Sequence, residues 1–243
     1  MRAAVQFAVG DDRLTLRDDL ELTGPGPGEV RVRIRATGVC HSDLSAMTGV
    51  LPHPMPFVPG HEGAGEVVEV GEGVTRVRTG DHVIICWNPP CGECKYCATG
   101  QGNLCVKIFF GMTGKPHLTL DGADVYGVCG SGTFAEELVV PWQVAVPVPH
   151  DVPFEVAALI GCGVTTGVGA VLNTARVEPG SSGAVYGGGG VGGRFFQGGR
   201  QAGVDCGEYL ERHSRTGEFQ HDSAAGTVSQ RREPVGVGAG LGE

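Results

Sequence analysis

Apolar and polar residues alternate along the first part of the chain. The segment 28–39, GEVRVRIRATGV, places apolar side chains at every second position with arginines between them. Because successive side chains of a strand point to opposite faces, this pattern predicts a half-buried strand with a basic solvent face. Short apolar runs separated by Gly-Glu-Gly and Thr-Gly-Asp turns follow as far as residue 85. Residues 1–150 are therefore predicted to form a compact domain made mainly of β-strands.

The pattern changes after a proline-rich segment at 147–153. Asp151 is a candidate helix cap, and apolar residues recur at helical spacing from there to Ile160. A second helix of small residues is expected next, and GAVY at 183–186 predicts a short buried strand. Helices followed by a strand mark a second domain, to which we assign residues 151–203.

The last part of the chain differs in kind from the rest. Glycine accounts for 18 of the 64 residues from Gly180 to the end. Beyond residue 203 neither a helical nor a strand period is sustained, and apolar residues are too few to offset the conformational entropy of the chain. Residues 204–243 are therefore predicted to be a disordered or aberrant tail.

Charge and composition narrow the classes of partner. The net charge of −9 and the pI of about 5.3 argue against nucleic acid or an anionic membrane as the main partner. No uninterrupted apolar run reaches the eighteen or so residues that a membrane span requires. The opening residues, MRAAVQFAVGDDRL, turn acidic too early for a secretory signal. We therefore expect a cytoplasmic protein that binds neither nucleic acid nor membrane.

Four of the nine cysteines crowd into CGECKYCATGQGNLC, at separations of 3, 3 and 8 residues. In a long chain without a secretory signal, such a cluster favours metal binding in a reducing compartment. Four thiolates on short loops meet the tetrahedral demand of Zn²⁺ and leave no open position, which is typical of a structural site. Surface thiols, two disulfides or an iron–sulfur cluster are the alternatives. The four candidate ligands are Cys91, Cys94, Cys97 and Cys105.

A second set of metal ligands is spread along the chain. Cys40 in GVCHSD, His61 in PGHEGAGEV and Cys162 in GCGVTTG are each ordinary when taken alone. Two thiolates and one imidazole would leave a fourth position for water or substrate, the open arrangement of a catalytic zinc. Their separations of 21 and 101 residues do not by themselves bring them together.

The motifs GVCHSD, PGHEGAGEVVEVGEGV, CGECKYCATGQGNLC, GTFAEE and GCGVTTGVGAVLNTARVEPGSS occur in an order that resembles zinc-dependent medium-chain alcohol dehydrogenases. The resemblance covers about residues 1–192 and is to the branch that includes the class I and class III enzymes. It implies a mainly β GroES-like domain followed by the start of an α/β Rossmann domain. It also implies hydride transfer between a primary alcohol or aldehyde and NAD, in a homodimer or tetramer. A thiol adduct of formaldehyde is the alternative substrate.

The resemblance implies two zinc ions per chain, a structural one in the four-cysteine cluster and a catalytic one on Cys40, His61 and Cys162. Ser42 matches the hydroxyl that relays a proton, while Ser45 stands where the family often has a further relay histidine. Asp43 and Glu62 match carboxylates that support the ligands, and His41 matches a basic residue near the cofactor pyrophosphate. Trp87 matches an aromatic side chain of the substrate pocket, and Thr166 matches a nicotinamide contact.

The glycine run AVYGGGGVGG contains the pattern of a dinucleotide-binding turn, in which glycines allow a tight turn and close approach to the pyrophosphate. Gly187, Gly189 and Gly192 match that pattern, and Val191 matches a residue that packs on the nicotinamide. A complete dinucleotide fold needs two βαβαβ halves, more than the 64 residues from Gly180 onward supply. We therefore expect a truncated or frame-shifted reading frame after about residue 192. A zinc-binding fragment that cannot hold NAD is the alternative to an active enzyme.

Overall fold

The structure is a computed structural model that describes residues 1–113, 115–185, 189–193, 205–206 and 229–231. The strands of the larger part of the chain are β1 (Ala3–Val5), β2 (Thr15–Arg17), β3 (Glu21–Leu22), β4 (Glu29–Gly38), β5 (Phe57–Val58), β6 (Glu62–Val70), β7 (His82–Ile85), β8 (Leu118–Leu120), β9 (Ala123–Gly127), β10 (Glu137–Pro141) and β11 (Ala145–Pro147). Three further strands are β12 (Ser182–Ala184), β13 (Asp205–Cys206) and β14 (Ser229–Arg231). The α-helices are α1 (His41–Met47), α2 (Lys95–Ala98), α3 (Lys107–Thr113), α4 (Phe154–Ala157) and α5 (Thr165–Gly169).

Several tighter or wider helical turns connect these elements. The 3₁₀ turns are Gly102–Leu104, Val128–Gly130 and Trp142–Val144, and the π-helical turns are Ile160–Val164 and Ala170–Thr174. The chain divides into two compact units, Met1–Cys162 and Gly163–Glu243. The finer division into 1–150, 151–203 and 204–243 stays a prediction.

The first unit is organised by a five-stranded antiparallel sheet in the order β10-β4-β6-β7-β11. Its second strand, β4, confirms the predicted alternation, because Val30 and Val32 are fully buried while Arg33 and Arg35 are exposed. Shifts in the register between β4 and β6 mark bulges, one of them between Ile34 and Ala36.

The two faces of this sheet pack against different partners. One face contributes Val30, Val32 and Ile85 to the largest hydrophobic cluster. The other face contributes Ala64 and Ile84, against which Ala157 of α4 and the following Ala158 pack. Because burying a valine or isoleucine side chain contributes roughly 1.5–3 kcal/mol, these two clusters account for much of the stability of the unit. A four-stranded sheet in the order β3-β8-β9-β5 lies in the same unit.

The helix that follows β11 begins later than the sequence indicates. The first helical hydrogen bonds run from the N–H groups of Val156 and Ala157 to the carbonyl of Pro153, at 3.1 and 2.9 Å. Pro153, and not Asp151, is therefore the residue that caps α4. Asp151 was the wrong cap because it precedes the first accepting carbonyl by two residues.

The expected pair of helices is one continuous helical segment of 21 residues, Phe154–Thr174. The sequence has no unbroken apolar run of that length because glycines and threonines interrupt it, yet the mean hydropathy remains high. By length and composition the segment could cross a membrane, a property that core helices of soluble proteins share.

The second unit contains the short strand expected before the glycine run, β12. It pairs in parallel with β13 and antiparallel with β14. Both partner strands fall in the tail for which the sequence predicts no regular structure, and the other residues of 207–243 lie outside the described part of the chain.

Candidate metal centres

The four clustered cysteines come together at one point. Their sulfur atoms all lie within 4.8 Å of one another, and each is a free thiol. Cys94 caps α2, and its sulfur lies 3.5 Å from that of Cys97, while the Cys91 and Cys97 sulfurs lie 3.9 Å apart. Backbone N–H groups donate to two of these sulfurs, from Cys94 to Cys91 and from Cys91 to Cys105, both at 3.3 Å. Such N–H groups favour the thiolate form that metals bind.

The chemistry of this four-cysteine centre fits zinc. Four sulfur donors suit a tetrahedral zinc or iron–sulfur site. Burial raises the pKa of Cys105, but its hydrogen bonds with the backbone of Cys91, Lys107 and Ile108 outweigh burial and lower the pKa to about 6. The predicted closed four-thiolate site is therefore present as a donor set, and the disulfide alternative is not, since all four thiols are free.

The second centre joins three distant parts of the sequence. One sulfur, one imidazole nitrogen, one carboxylate oxygen and another sulfur lie within 4.8 Å of one another, contributed by Cys40, His61, Glu62 and Cys162. Cys40 caps α1, Glu62 begins β6 directly after His61, and Cys162 lies in the π-helical turn after α4. All four belong to the first compact unit. The fold thus closes the gaps of 21 and 101 residues.

The side chain of Asp43 connects parts of this second centre through hydrogen bonds. Its side chain is 2% exposed and accepts three hydrogen bonds. Oδ2 accepts from the N–H of Cys40 at 3.0 Å, and Oδ1 accepts from the N–H of Gly60 at 2.9 Å and from Nδ1 of His61 at 3.1 Å. A carboxylate bound to Nδ1 orients an imidazole and leaves Nε2 as the nitrogen available to a metal.

Two glycines leave room for the ligand side chains. A Cβ at Gly38 would lie 2.2 Å from Oε2 of Glu62, so any larger residue on β4 would displace that carboxylate. A Cβ at Gly161 would lie 2.3 Å from the carbonyl oxygen of Ile85, so Cys162 is held close to the end of β7 only because its neighbour lacks a side chain. Close backbone approach of this kind requires glycine.

Hydrogen bonds and burial within this second centre shift the pKa values of Cys40, Cys162 and His61. The hydrogen bond with Cys162, supported by one with His61, lowers the pKa of Cys40 to about 3. The same bond and burial raise the pKa of Cys162. Burial lowers the pKa of His61, but hydrogen bonds with Asp43 and Cys40 outweigh it and raise the pKa to about 10. The centre therefore offers two sulfurs, one nitrogen and one oxygen close together, with charges that influence one another. This set of donor atoms fits Zn²⁺.

Glu62 extends the predicted ligand set. The sequence indicated only a carboxylate that supports the ligands, whereas the structure places a Glu62 oxygen among the possible ligand atoms themselves. The signal in the sequence was its position directly after His61. However, adjacent residues of a strand point to opposite faces, and so adjacency alone did not predict convergence.

The proton-relay and pyrophosphate candidates lie on α1. Oγ of Ser42 lies 3.6 Å from the Cys40 sulfur, which places the hydroxyl at the edge of the second centre. His41 is exposed, and its Nδ1 lies 3.4 Å from Oγ of Ser45. The two serines and His41 therefore share the first turns of one helix.

The remaining predicted site residues, Trp87 and Thr166, are not among the possible metal ligands of either centre. The Trp87 ring lies edge-on to that of Phe109, with centroids 6.0 Å apart. Thr166 is exposed on α5 in the second unit. The Phe109–Phe110 pair was not singled out in the sequence, although two adjacent aromatic residues shortly after Cys105 were visible there.

Part of the glycine run is described. Gly189 precedes a helical turn at 190–193, in which the Gly193 N–H donates to the Gly189 carbonyl at 2.9 Å. Val191 is 49% exposed and Gly192 lies in the same turn. Gly187 lies outside the described residues. A strand, glycines and a helical turn follow one another as a dinucleotide-binding turn requires.

The mainly β first unit carries two groups of possible metal ligands, and comparison with known proteins gives the family. A family model for the alcohol dehydrogenase GroES-like domain matches residues 26–150. The chain belongs to this alcohol dehydrogenase family, and the predicted fold class, a GroES-like domain followed by the start of a Rossmann domain, is confirmed.

Individual relatives of the chain are named as dehydrogenases. S-(hydroxymethyl)glutathione dehydrogenase of Paracoccus denitrificans is 44% identical over 212 residues, which are 84% of this chain and 56% of that protein. Putative alcohol dehydrogenase D of Mycobacterium tuberculosis is 44% identical over 206 residues, covering 83% of this chain and 55% of the relative. The chain thus spans little more than half the length of the relatives it matches.

Solved structures with similar folds support the same family. The alcohol dehydrogenase zinc-binding domain protein of Burkholderia ambifaria superposes with a TM-score of 0.78 at 36% identity. Benzyl alcohol dehydrogenase of Acinetobacter calcoaceticus superposes with a TM-score of 0.75 at 34% identity. Each match covers 84% of this chain and 56% of the other.

Proposed function

We propose that this chain binds two zinc ions and catalyses hydride transfer between a primary alcohol or aldehyde and NAD. The observation that carries the proposal is the convergence of Cys40, His61 and Cys162, whose ligand atoms lie within 4.8 Å of one another despite their distance in sequence. Four thiols alone would support only a structural metal. The second donor set, with its mixed sulfur and nitrogen ligands, is the kind that supports catalysis.

Zinc held by these three residues would supply Lewis acidity to an alcohol or aldehyde oxygen. The protein's own part is to position the ligands and to handle the proton. Asp43 fixes the orientation of His61 and the start of α1 through its three hydrogen bonds. Glu62 adds a buried negative charge beside the two sulfurs.

We assign to Ser42 the transfer of the proton from the substrate. Its Oγ lies next to the Cys40 sulfur and at the beginning of α1, where a hydroxyl can accept a proton from substrate and donate one outward. With Ser45 in place of a histidine, the proton leaves Ser42 towards water. Exposed His41 at the same helix start is assigned to the cofactor pyrophosphate.

NAD is assigned to the second unit and its glycine-rich turn. The glycines at 187, 189 and 192 would let the backbone approach the pyrophosphate, and the helical turn at 190–193 would direct N–H groups towards it. Val191 and Thr166 would contact the nicotinamide, and both side chains are exposed. Zinc in the four-cysteine centre would stabilise the segment that carries Trp87, the proposed aromatic side of the substrate pocket.

Two other functions have specific support. The names of several relatives favour a thiol-dependent formaldehyde dehydrogenase, in which the alcohol is S-(hydroxymethyl)glutathione. A zinc-binding fragment that does not turn over NAD is the other candidate, because both groups of possible metal ligands lie in the first unit and do not involve the glycine-rich turn. Assembly as a homodimer or tetramer and a cytoplasmic location accompany the enzyme proposal.

Metal analysis together with cofactor binding tests the proposal. The purified chain is expected to hold two zinc ions, to bind NAD by calorimetry and to form NADH with ethanol. Cys162→Ser should remove one zinc, whereas Cys86→Ser is the matched control and should remove none, because Cys86 belongs to neither group of possible ligands among the described residues. One zinc in the unsubstituted chain would contradict the second centre. Two zinc ions without NAD binding would favour the fragment.

A further inference from the structure

A hydroxyl, an imidazole and a carboxylate form a chain of polar contacts outside both candidate metal centres. Oγ1 of Thr23 lies 3.2 Å from Nδ1 of His117. On the other side of the same ring, Nε2 lies 3.2 Å from Oε1 of Glu29. These three residues, the hydroxyl triad, belong to neither group of possible metal ligands in the described part of the chain. Their order is that of a catalytic triad, in which a base activates a hydroxyl and a carboxylate orients the base.

Strand pairing in the first unit brings the triad together from distant parts of the sequence. Thr23 directly follows β3 and His117 directly precedes β8. The antiparallel pairing of Leu22 with Leu118 sets Thr23 opposite His117, and the Thr23 N–H donates to the His117 carbonyl at 3.0 Å. Glu29 is the first residue of β4. The backbone, and not only the side chains, therefore fixes the hydroxyl beside the imidazole.

The carboxylate of Glu29 is held in one orientation. Its side chain is 11% exposed, Oε2 accepts from the N–H of Gly26 at 2.8 Å, and Oε1 accepts from Nζ of Lys115 at 2.9 Å. Burial raises the pKa of Glu29, but the hydrogen bonds from Lys115 and Gly26 outweigh burial and lower it. The ionised carboxylate can only accept, so Nε2 of His117 carries a hydrogen that it donates to Oε1.

The protonation state of His117 decides the direction of its contact with Thr23. A neutral imidazole has one donor nitrogen and one acceptor nitrogen. With the hydrogen on Nε2, Nδ1 is the acceptor, so the Thr23 hydroxyl donates to it. In a protonated ring Nδ1 would donate instead, and the hydroxyl would turn to the His117 carbonyl, 3.1 Å from Oγ1.

Burial favours the neutral ring. It lowers the pKa of His117; the charge of Glu29 raises this pKa and that of Lys115 lowers it, and the net direction is down. These two are the charged groups that act on the ring in the described part of the chain. At neutral pH the hydroxyl of Thr23 therefore faces an unprotonated base.

The two reacting groups differ in their access to solvent. Thr23 is exposed, whereas the side chain of His117 is 13% exposed. His117 also lines a small cavity, whose apolar lining includes Leu22, Met112 and Leu138. The nucleophile can thus be reached from solution while its base is shielded, and the size of the cavity suits small substrates.

We propose that Thr23 is the nucleophile of a second, metal-independent site that hydrolyses small activated esters, with His117 as general base and Glu29 as a positioning residue. The Thr23 oxygen bonds to the ester carbonyl carbon while Nδ1 of His117 takes the hydroxyl proton. The bond to the leaving alcohol then breaks, and the alcohol oxygen receives that proton. Water next attacks the acyl-threonine, one of its protons passes through Nδ1 to Oγ1, and the carboxylic acid is released. This activity is separate from the proposed dehydrogenase function.

Reaction of the full-length, zinc-loaded chain with p-nitrophenyl acetate tests the assignment. Mass spectrometry of the chain quenched during turnover should find an acetyl group on Thr23. His117→Gln should lower the rate of p-nitrophenol release by about 100-fold, the contribution of a general base, and Thr23→Val should lower it at least as much. Thr23→Ser keeps a hydroxyl and should retain the rate. Thr15→Val is the matched control, because Thr15 is also an exposed strand threonine but lies outside the triad.

The pH profile of acetylation separates a catalytic imidazole from a merely structural one. Because Nδ1 must be unprotonated, the rate should rise with pH through the pKa of His117 and level off above it. Lys115→Met removes a positive charge and should move the midpoint to higher pH, whereas Glu29→Gln removes a negative charge and should move it to lower pH. Acetylation of Lys115 in place of Thr23, an unchanged rate in Thr23→Val, or a midpoint that neither charge variant moves would overturn the assignment.

Discussion

The two candidate metal centres of the first unit contrast in how the chain assembles them. The four-cysteine centre draws all its donors from fifteen consecutive residues, 91–105, around one short helix. The second centre draws donors from the start of α1, the start of β6 and the turn after α4. The first is a local structure that spacing alone predicts, whereas the second exists only when the five-stranded sheet and α4 have formed.

This difference has consequences for what stabilises each centre. Around the four cysteines, the hydrogen-bond donors to sulfur include the backbone N–H groups of Cys91 and Cys94. Around the second centre, the buried carboxylate of Asp43 connects Cys40, Gly60 and His61. We therefore expect the local centre to depend on its metal and the assembled centre to depend on the surrounding fold.

The largest expected effect follows from removing a ligand of the local centre. Cys94→Ser should abolish zinc at the four-cysteine centre and lower the free energy of unfolding by several kcal/mol, since zinc contributes about 10–16 kcal/mol to small zinc-finger peptides. Zinc content and thermal unfolding measure both effects. If the two centres form independently, the second zinc stays bound. Loss of both ions from this variant would show that the assembled centre depends on the local one.

A smaller effect is expected when the support of the assembled centre is removed. Asp43→Ala leaves the N–H groups of Cys40 and Gly60 and Nδ1 of His61 without their shared acceptor. Loss of such an outer carboxylate typically weakens a metal site by about 10–100-fold. Competition with a chelator should report that loss at one zinc only. An equal loss at both zincs would contradict the contrast between the centres.

The smallest expected effect concerns the space that β4 leaves for Glu62. Gly38→Ala would place a Cβ 2.2 Å from Oε2 of Glu62, and overpacking of this kind costs about 1–3 kcal/mol. Denaturant unfolding measures the change. Gly111→Ala is the control, because a Cβ at Gly111 of α3 meets nothing within 4 Å. Combining Gly38→Ala with Glu62→Ala should recover part of the lost stability, and a fully additive double variant would argue against the clash.

The sequence predicted those parts of the molecule that repeat or lie close along the chain. The alternation of β4 gave the correct buried face, Val30 and Val32, because strand periodicity is a local property. The four-cysteine spacing likewise predicted a site that the structure assembles. The convergence of Cys40 and Cys162 came only from resemblance to a family, since a separation of 122 residues is closed by packing that no local pattern describes.

Other features followed from contacts that the sequence could not reveal. Asp151 resembled a helix cap, but the carbonyl of Pro153 accepts the first helical bonds. Two successive helices were expected before the glycine run, yet π-helical turns join them into one helical segment. The edge-on contact between the rings of Trp87 and Phe109 was likewise not visible in the sequence. Each case depends on a partner distant in the chain or on backbone geometry.

Zinc-edge X-ray absorption on the fully loaded chain tests the contrast between the two centres most directly. A four-sulfur site together with a site of two sulfurs, one nitrogen and one oxygen should average about three sulfurs near 2.3 Å and one lighter ligand near 2.0–2.2 Å per zinc. In Cys94→Ser, the remaining zinc should show two sulfurs and two lighter ligands. A chain that holds one zinc with four sulfur neighbours would contradict the assembled centre.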